Sequence, residues 1–362
     1  MLDEQPLAGT TLTNWMRLLV ENRLSISWPF LPKVFYVTLM VMALTPLRRK
    51  EQKFCSTHLS EITVPAPIFI IGHWRSGTTF LHYLMGQDPN LAYVSTMETM
   101  APHVFLTNER LLRGVLARSL PDKRPMDNLE MKADLPYEDE YALANLCPYS
   151  FYHGWYFPRN IDYYFDKYVL FNGVSSSIID KWGQHYTMFL KKIAYKHDGK
   201  RILLKSLVNT AKIRELLKLF PDAQFIHIYR NPYDVYMSTW KLYEKILPIF
   251  SFQHIKREQF DQSILSMYKE LYMRYFEEKQ LIPKGNLIEL SYEEFIKNPL
   301  ESLKHLYGSL RLEGFAEAKP AFQRYIKQHE NYKKNNYTID DTVRNKIYRA
   351  WKFAFDALGY DK

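Results

Sequence analysis

Two cysteines in 362 residues, Cys55 and Cys147, make no disulfide framework. That excludes small stapled secreted folds and points to a reducing compartment, here expected to be the cytoplasm. Long apolar runs are missing too. A membrane-spanning helix needs about 20 apolar residues, whereas the most apolar stretch is "VFYVTLMVMAL", Val34 to Leu44, ended by Thr45-Pro46. It reads as a buried helix, with a helix lying on a membrane surface as the alternative, because Arg48, Arg49 and Lys50 follow it. The first residues, "MLDEQPLAGTTL", are acidic and polar, unlike a secretory signal. Repeats and low-complexity tracts are absent. No His/Cys/Asp cluster has metal-ligand spacing, so no metal is expected. The basic residues are scattered, and Arg48-Arg49-Lys50 is too short for a nucleic-acid arm, so no nucleic-acid partner is expected.

What remains is a globular composition, 47% hydrophobic and 24% charged, with a net charge of +9 that suits an anionic partner. Residues 67–71, 201–205, 224–229 and 286–290 read as strands, the first a buried Ile-rich run ended by Gly72. Helical periods lie between and after them. In "TAKIRELLKLF" the residues Ile213, Leu216, Leu217 and Phe220 form one face, with Thr210 placed to cap its start. A late helix ends at Gly359. The alternation predicts an α/β fold: a P-loop-type three-layer sandwich with a central, mainly parallel sheet flanked by helices. Residues 1–64 are expected to be a helical extension packed on the core. Residues 65–362 are expected to be one domain, with a helical insertion over about 90–200 that builds a pocket wall.

The stretch "PIFIIGHWRSGTTFLHYLMG", 67–86, has the layout of a phosphate loop without the lysine of a triphosphate loop. Backbone N–H groups at a strand-to-helix turn and the helix dipole favour an anion. Thr78 and Thr79 add hydroxyls, and Arg75 supplies the cation, able to fork onto an oxyanion. A second stretch, "FIHIYRNPYDVYMSTWK", 225–241, puts Arg230 at a strand's carboxyl end and Ser238 on the next helix. Ligands of open α/β sheets bind at that edge. Two anion sites there imply a nucleotide phosphorylated at two positions.

Together, "IIGHWRSGTTFLHYL" and "LLKSLVNTAKIRELLKLFPDAQFIHIYRNPYDVYMSTW" resemble the sulfotransferases that use 3′-phosphoadenosine 5′-phosphosulfate (PAPS), in particular their bacterial-type branch, related to tyrosylprotein and cytosolic sulfotransferases. The resemblance runs over roughly 65–310 and includes "LSYEEFIKNPLESLKHLYGSL". It implies that Arg75, Ser76, Gly77, Thr78 and Thr79 hold the 5′-phosphosulfate, that Arg230 and Ser238 hold the 3′-phosphate, and that Lys205 lies beside the transferring group. Relatives place a late basic loop near the 3′-phosphate; Lys333 and Lys334 are the candidates for it here, with a solvated loop as the equal alternative. Cytosolic relatives carry a histidine base where this chain has Leu207, so a carboxylate is implied instead. The candidates are Glu138 and Glu140 in "LPYEDEYAL" and Glu98 in "STMETMAP". His73 is a weaker candidate base and reads rather as shaping the loop; His103 and His153 read as structural or pocket-lining. The implied enzyme moves a sulfuryl group from PAPS, leaving PAP, to a small-molecule alcohol. The aromatic and Met content of residues 80–190 points to an apolar acceptor such as a sterol or lipid. The alternatives are a non-catalytic phosphoadenosine-binding module and a nucleotide kinase.

Overall fold

A computed structural model describes residues 5–124, 129–330 and 338–362. The chain divides into two compact units: residues 66–92, 201–241 and 260–362 form the unit containing the phosphate loop, and the remainder forms the other.

The phosphate-loop unit is organised by a five-stranded sheet in the order β2-β3-β1-β4-β5. Its strands are β1 (Ile68–Ile71), β2 (Leu91–Tyr93), β3 (Arg201–Lys205), β4 (Gln224–Tyr229) and β5 (Leu287–Ser291), β2 ending on the first residue of the other unit. β1 pairs in parallel with β3 and β4, and β4 with β5. All four residues of β1 are fully buried, as a parallel strand covered on both faces requires. β5, at the edge, alternates instead: Ile288 and Leu290 are buried around exposed Glu289. The predicted strands coincide with the observed ones to within a residue. β2 was not expected, because three residues carry no periodic signal.

Helix starts depart from expectation in one informative place. The helix Ile213–Leu219 begins after Lys212, preceded by a 3-10 turn over Leu207–Ala211. Thr210 lies in that turn and does not cap the helix. Its hydroxyl accepts from Gly72 N at 2.8 Å and donates to Gly72 O at 3.0 Å, tying the turn after β3 to the end of β1. The late helix Asp341–Leu358 is closed by Gly359 in the left-handed region (φ 75°), as expected. It breaks helical geometry at Trp351, whose buried ring stacks on Tyr268 at 3.7 Å between centroids.

The other unit is helical. An aromatic cluster anchors it: Trp155 stacks on Tyr152 at 4.1 Å and lies near Tyr141 and Phe250. At its start, α1 (Leu12–Glu21) and α2 (Leu31–Ala43) form an antiparallel pair, followed by α3 (Thr45–His58). Trp15 Nε1 on α1 donates to Thr38 Oγ1 on α2 at 2.9 Å, and Arg48, just past α2, reaches Gly9 O, just before α1, at 3.4 Å. α2 is not the buried helix expected from its composition. Val37 and Val41 are buried, but Phe35 is 71% exposed, and Leu39 and Met42 more than half. One side packs on α1 and on the turn Pro6–Gly9, while the opposite side faces solvent.

Candidate active site

The parallel pairing fixes where the cations stand. Lys205, the last residue of β3, pairs in register with Ile70; Gly72 directly follows β1, and Arg230 directly follows β4. All three therefore sit at the carboxyl edge of the sheet, with β1 between β3 and β4, where the order of connections reverses. After Gly72 the chain turns tightly: Gly72 and Gly77 have φ of 142° and 91°, and Arg75 holds a positive φ of 70°. A non-glycine residue there costs about 1–2 kcal/mol, which the surrounding bonds offset. Arg75 Nε donates to Ser238 Oγ at 2.8 Å, and Arg230 Nη1 donates to Arg75 O at 3.4 Å. The two sequence motifs, 155 residues apart, thus meet directly. Arg230 also pairs with Asp234 at 2.8 Å, and its guanidinium lies 4.7 Å from the centroid of the Tyr292 ring. Beneath the loop, α4 (Thr78–Met85) starts at Thr78, with Gly77 as its N-cap. Lys205 Nζ, almost fully buried, donates to Thr79 Oγ1 at 3.4 Å. Ser76 is also fully buried.

The acidic candidates lie in the other unit. Glu138 is the N-cap residue of the helix Asp139–Leu146, whose first turn contains Asp139 and Glu140. Three carboxylates at one helix start suit its dipole, and each is aimed differently. Asp139 accepts from Tyr186 Oη at 2.7 Å; Glu140 accepts from Ser150 Oγ at 2.7 Å and from Phe151 N at 3.0 Å; Glu138 accepts from Tyr152 Oη. Asp139 and Glu140 are completely buried, whereas Glu138 retains 7% exposure. Glu98 is differently engaged. One oxygen accepts from Ser95 N at 2.7 Å in a capping box, and the other pairs with Lys196 at 2.7 Å, with His197 at 3.6 Å. Burial pushes the Glu98 carboxyl up, but His197, Lys196 and the Ser95 N–H together outweigh it and hold its pKa down at about 2. Burial pushes His73 and His103 down to about 3 and His153 to about 4. Their ring nitrogens meet the carbonyls of Trp74, Asn145 and Ala144. Lys333 and Lys334 lie outside the described residues.

Residues 67–317 match the model of the Sulfotransferase family. The chain belongs to that family. Over 359 residues it is 32% identical to the omega-hydroxy-beta-dihydromenaquinone-9 sulfotransferase Stf3 of Mycobacterium bovis, covering 98% of this chain and 91% of the relative; the Mycobacterium tuberculosis protein of the same name matches equally. Among solved structures, sulfotransferase STF9 from Mycobacterium avium superposes with a TM-score of 0.72 at 16% identity, over 98% of this chain and 97% of the other. STF1 from Mycobacterium tuberculosis H37Rv gives 0.65 at 16%, over 93% and 90%. At that identity the likeness shows the α/β fold. This protein is therefore an enzyme that transfers sulfate.

Two residues packed against the phosphate loop escaped sequence reasoning. Thr210 was read as a helix cap, although it latches the loop's first glycine. Tyr292 had no assigned role, yet its ring lies against Gly77 and under Arg230: a Cβ on Gly77 would stand 2.4 Å from Tyr292 Cδ2. The available signal was position, since Tyr292 directly follows β5 at the same sheet edge. The residues at this sheet edge fit an adenosine bisphosphate donor. Arg230 Nε is buried without a hydrogen-bond partner among the described residues, and a phosphate oxygen would satisfy it. The first N–H groups of α4 have no acceptor within the helix. No carboxylate occurs from Gly72 to Thr79 to compete for them.

Proposed function

We propose that this sulfotransferase takes its sulfuryl group from PAPS and passes it to the hydroxyl of an apolar, lipid-like alcohol. The observation that carries the donor is the direct bonding of Arg75 to Ser238 and of Arg230 to the Arg75 carbonyl, beside Lys205, at one strand edge. PAPS, when bound, supplies an activated sulfuryl group and departs as the 3′,5′-bisphosphate. In this reading Arg230 and Ser238 hold the 3′-phosphate, and Ser76, Gly77, Thr78 and Thr79 cradle the 5′ end. Arg75 and Lys205 face the charge that grows on the leaving oxygen, so they stabilise the transition state more than the ground state. Lys333 and Lys334 are proposed as further contacts to the 3′-phosphate.

Glu138 is proposed to take the acceptor's proton. Of the three named carboxylates it keeps the most solvent access, and Tyr152 orients it. Glu140 is proposed to support that helix start, and Glu98, with both oxygens engaged, to hold its own element. The acceptor class rests on the relative that is 32% identical over nearly the whole chain, whose name specifies a hydroxylated menaquinone derivative. A sterol or another lipid alcohol remains within this class. The reading includes a cytoplasmic location, in keeping with Cys55 and Cys147 forming no disulfide, and peripheral contact with a membrane through the N-terminal apolar segment.

The test is incubation with sulfur-labelled PAPS and a pooled set of apolar alcohols, sugars and peptides, read by mass. Labelled apolar product is expected, and Arg75→Ala or Arg230→Ala should abolish it. Undiminished transfer by either variant overturns the donor assignment. Label found only in sugars or peptides overturns the acceptor class.

A further inference from the structure

Among the described residues 16 large apolar side chains stand exposed, and nine of them fall between Leu12 and Met42. Scattered singly, such residues need no explanation; concentrated in so short a stretch, they make a surface. The helix geometry shows how they combine. At 3.6 residues per turn, Leu12, Met16 and Val20 form one stripe of α1, beside Trp15. Leu31, Phe35, Leu39 and Met42 form one stripe of α2, beside Thr38. Trp15 and Thr38 mark the seam between the helices. Both stripes follow their seam residue in the same rotational sense, and the helices run antiparallel, so the stripes open on the same side. The connecting segment adds Leu24, 63% exposed, and Trp28, 83% exposed.

We infer that this face of α1 and α2 docks the enzyme onto the surface of an anionic lipid bilayer, lying in the interface without crossing it. Charge selects the occupant. From Leu12 to Lys50 there are six basic residues, Arg17, Arg23, Lys33, Arg48, Arg49 and Lys50, against the single acid Glu21, a net of 6 − 1 = +5. Arg17, Arg23, Arg49 and Lys50 are exposed. A second copy would bring the same positive stretch against itself, whereas anionic head groups complement it at about 1 kcal/mol for each basic residue near the surface. Trp28 has the amphipathic ring favoured at a lipid–water boundary. Crossing is opposed by length and attachment. α2 has 13 residues, about 20 Å at 1.5 Å per residue, short of the roughly 30 Å hydrocarbon core. α3 continues at a bend of 47° and is strongly polar. Val37 and Val41 are fully buried, and Lys33 donates to the carbonyls of Pro248 and Ile249 at 2.5 and 2.8 Å, so the opposite side of α2 is fastened to its own unit.

This inference does not rest on the donor or acceptor proposed above, because docking is measured without turnover. The full chain is floated with vesicles of phosphatidylcholine alone and with vesicles in which a third of the lipid is phosphatidylglycerol. It is expected to float with the anionic vesicles and to be released by high salt. The double variant Trp28→Ser/Phe35→Ser should bind about tenfold more weakly or worse, with an unchanged thermal melt, since both side chains are exposed. Arg49→Glu/Lys50→Glu should lose the preference for phosphatidylglycerol. Met188→Ser, an exposed apolar residue outside the face, should bind as the parent does. Failure of the parent to float overturns the proposal, and so does equal weakening by Met188→Ser. A lipid-free dimer that Trp28→Ser/Phe35→Ser converts to monomer overturns it as well, and assigns the face to a second copy.

Discussion

Two eight-residue helices, α4 and Asp139–Leu146, begin with opposite electrostatic arrangements. At the start of Asp139–Leu146 the anion demanded by the helix dipole is written into the sequence: Glu138, Asp139 and Glu140 sit there, bonded to Tyr152, Tyr186 and Ser150. At the start of α4 the loop Gly72–Thr79 contains no acid, and Arg75 and Lys205 stand nearby. A helix end that carries its own carboxylates is complete. One that gathers cations and hydroxyls is completed by an anion from outside, which is the role proposed above for the donor's 5′ end.

The comparison breaks most severely when the cations of the α4 side are removed. Arg75→Ala and Arg230→Ala are each expected to lower kcat/KM for sulfuryl transfer by about 10²–10³-fold, the usual cost of losing one preorganised donor. Thr79→Glu, which supplies the missing acid internally, should likewise abolish PAP binding in titration calorimetry. On the other side, Glu138→Gln should reduce kcat by about 10²-fold or more while leaving the Kd for PAP unchanged, as expected for a lost base. Equal loss of PAP affinity would show that Glu138 acts through structure.

Glu98→Gln sharpens the contrast through stability. The folded pKa of Glu98, about 2, lies below the ordinary value of 4.5, so its stabilisation is fully present above pH 4.5 and is lost as pH falls through 2. The variant should be less stable than the parent by about 1–3 kcal/mol near neutrality, and the gap in thermal melts should close between pH 5 and 2. The smallest effect is expected from Thr210→Val: about 1–2 kcal/mol of stability from the lost bonds to Gly72, with a modest rise in KM for PAPS.

The sheet and its cations were legible because buried strands leave a strong local signal: "IFII", "RILLK" and "QFIHIY" are apolar runs cut off by Gly72, Ser206 and Arg230. Chain order then places their ends at one edge. Contacts between distant segments left no such trace. Nothing local distinguishes Thr210 as a cap from Thr210 as a latch on Gly72, because its partner lies 138 residues away. The same holds for Tyr292 over Gly77. The exposure of α2 was illegible for another reason: an apolar 13-residue helix has the same composition whether protein or lipid is meant to cover it.

Tyr292 has a mechanical consequence. Gly77 leaves space for its ring, and Arg230 rests on that ring, so the phenol is a shared bearing between the two grips proposed for the nucleotide. Crowding at one grip is transmitted to the other without any hydrogen bond in between. A methyl group at position 77 should therefore loosen hold at both ends of the molecule at once.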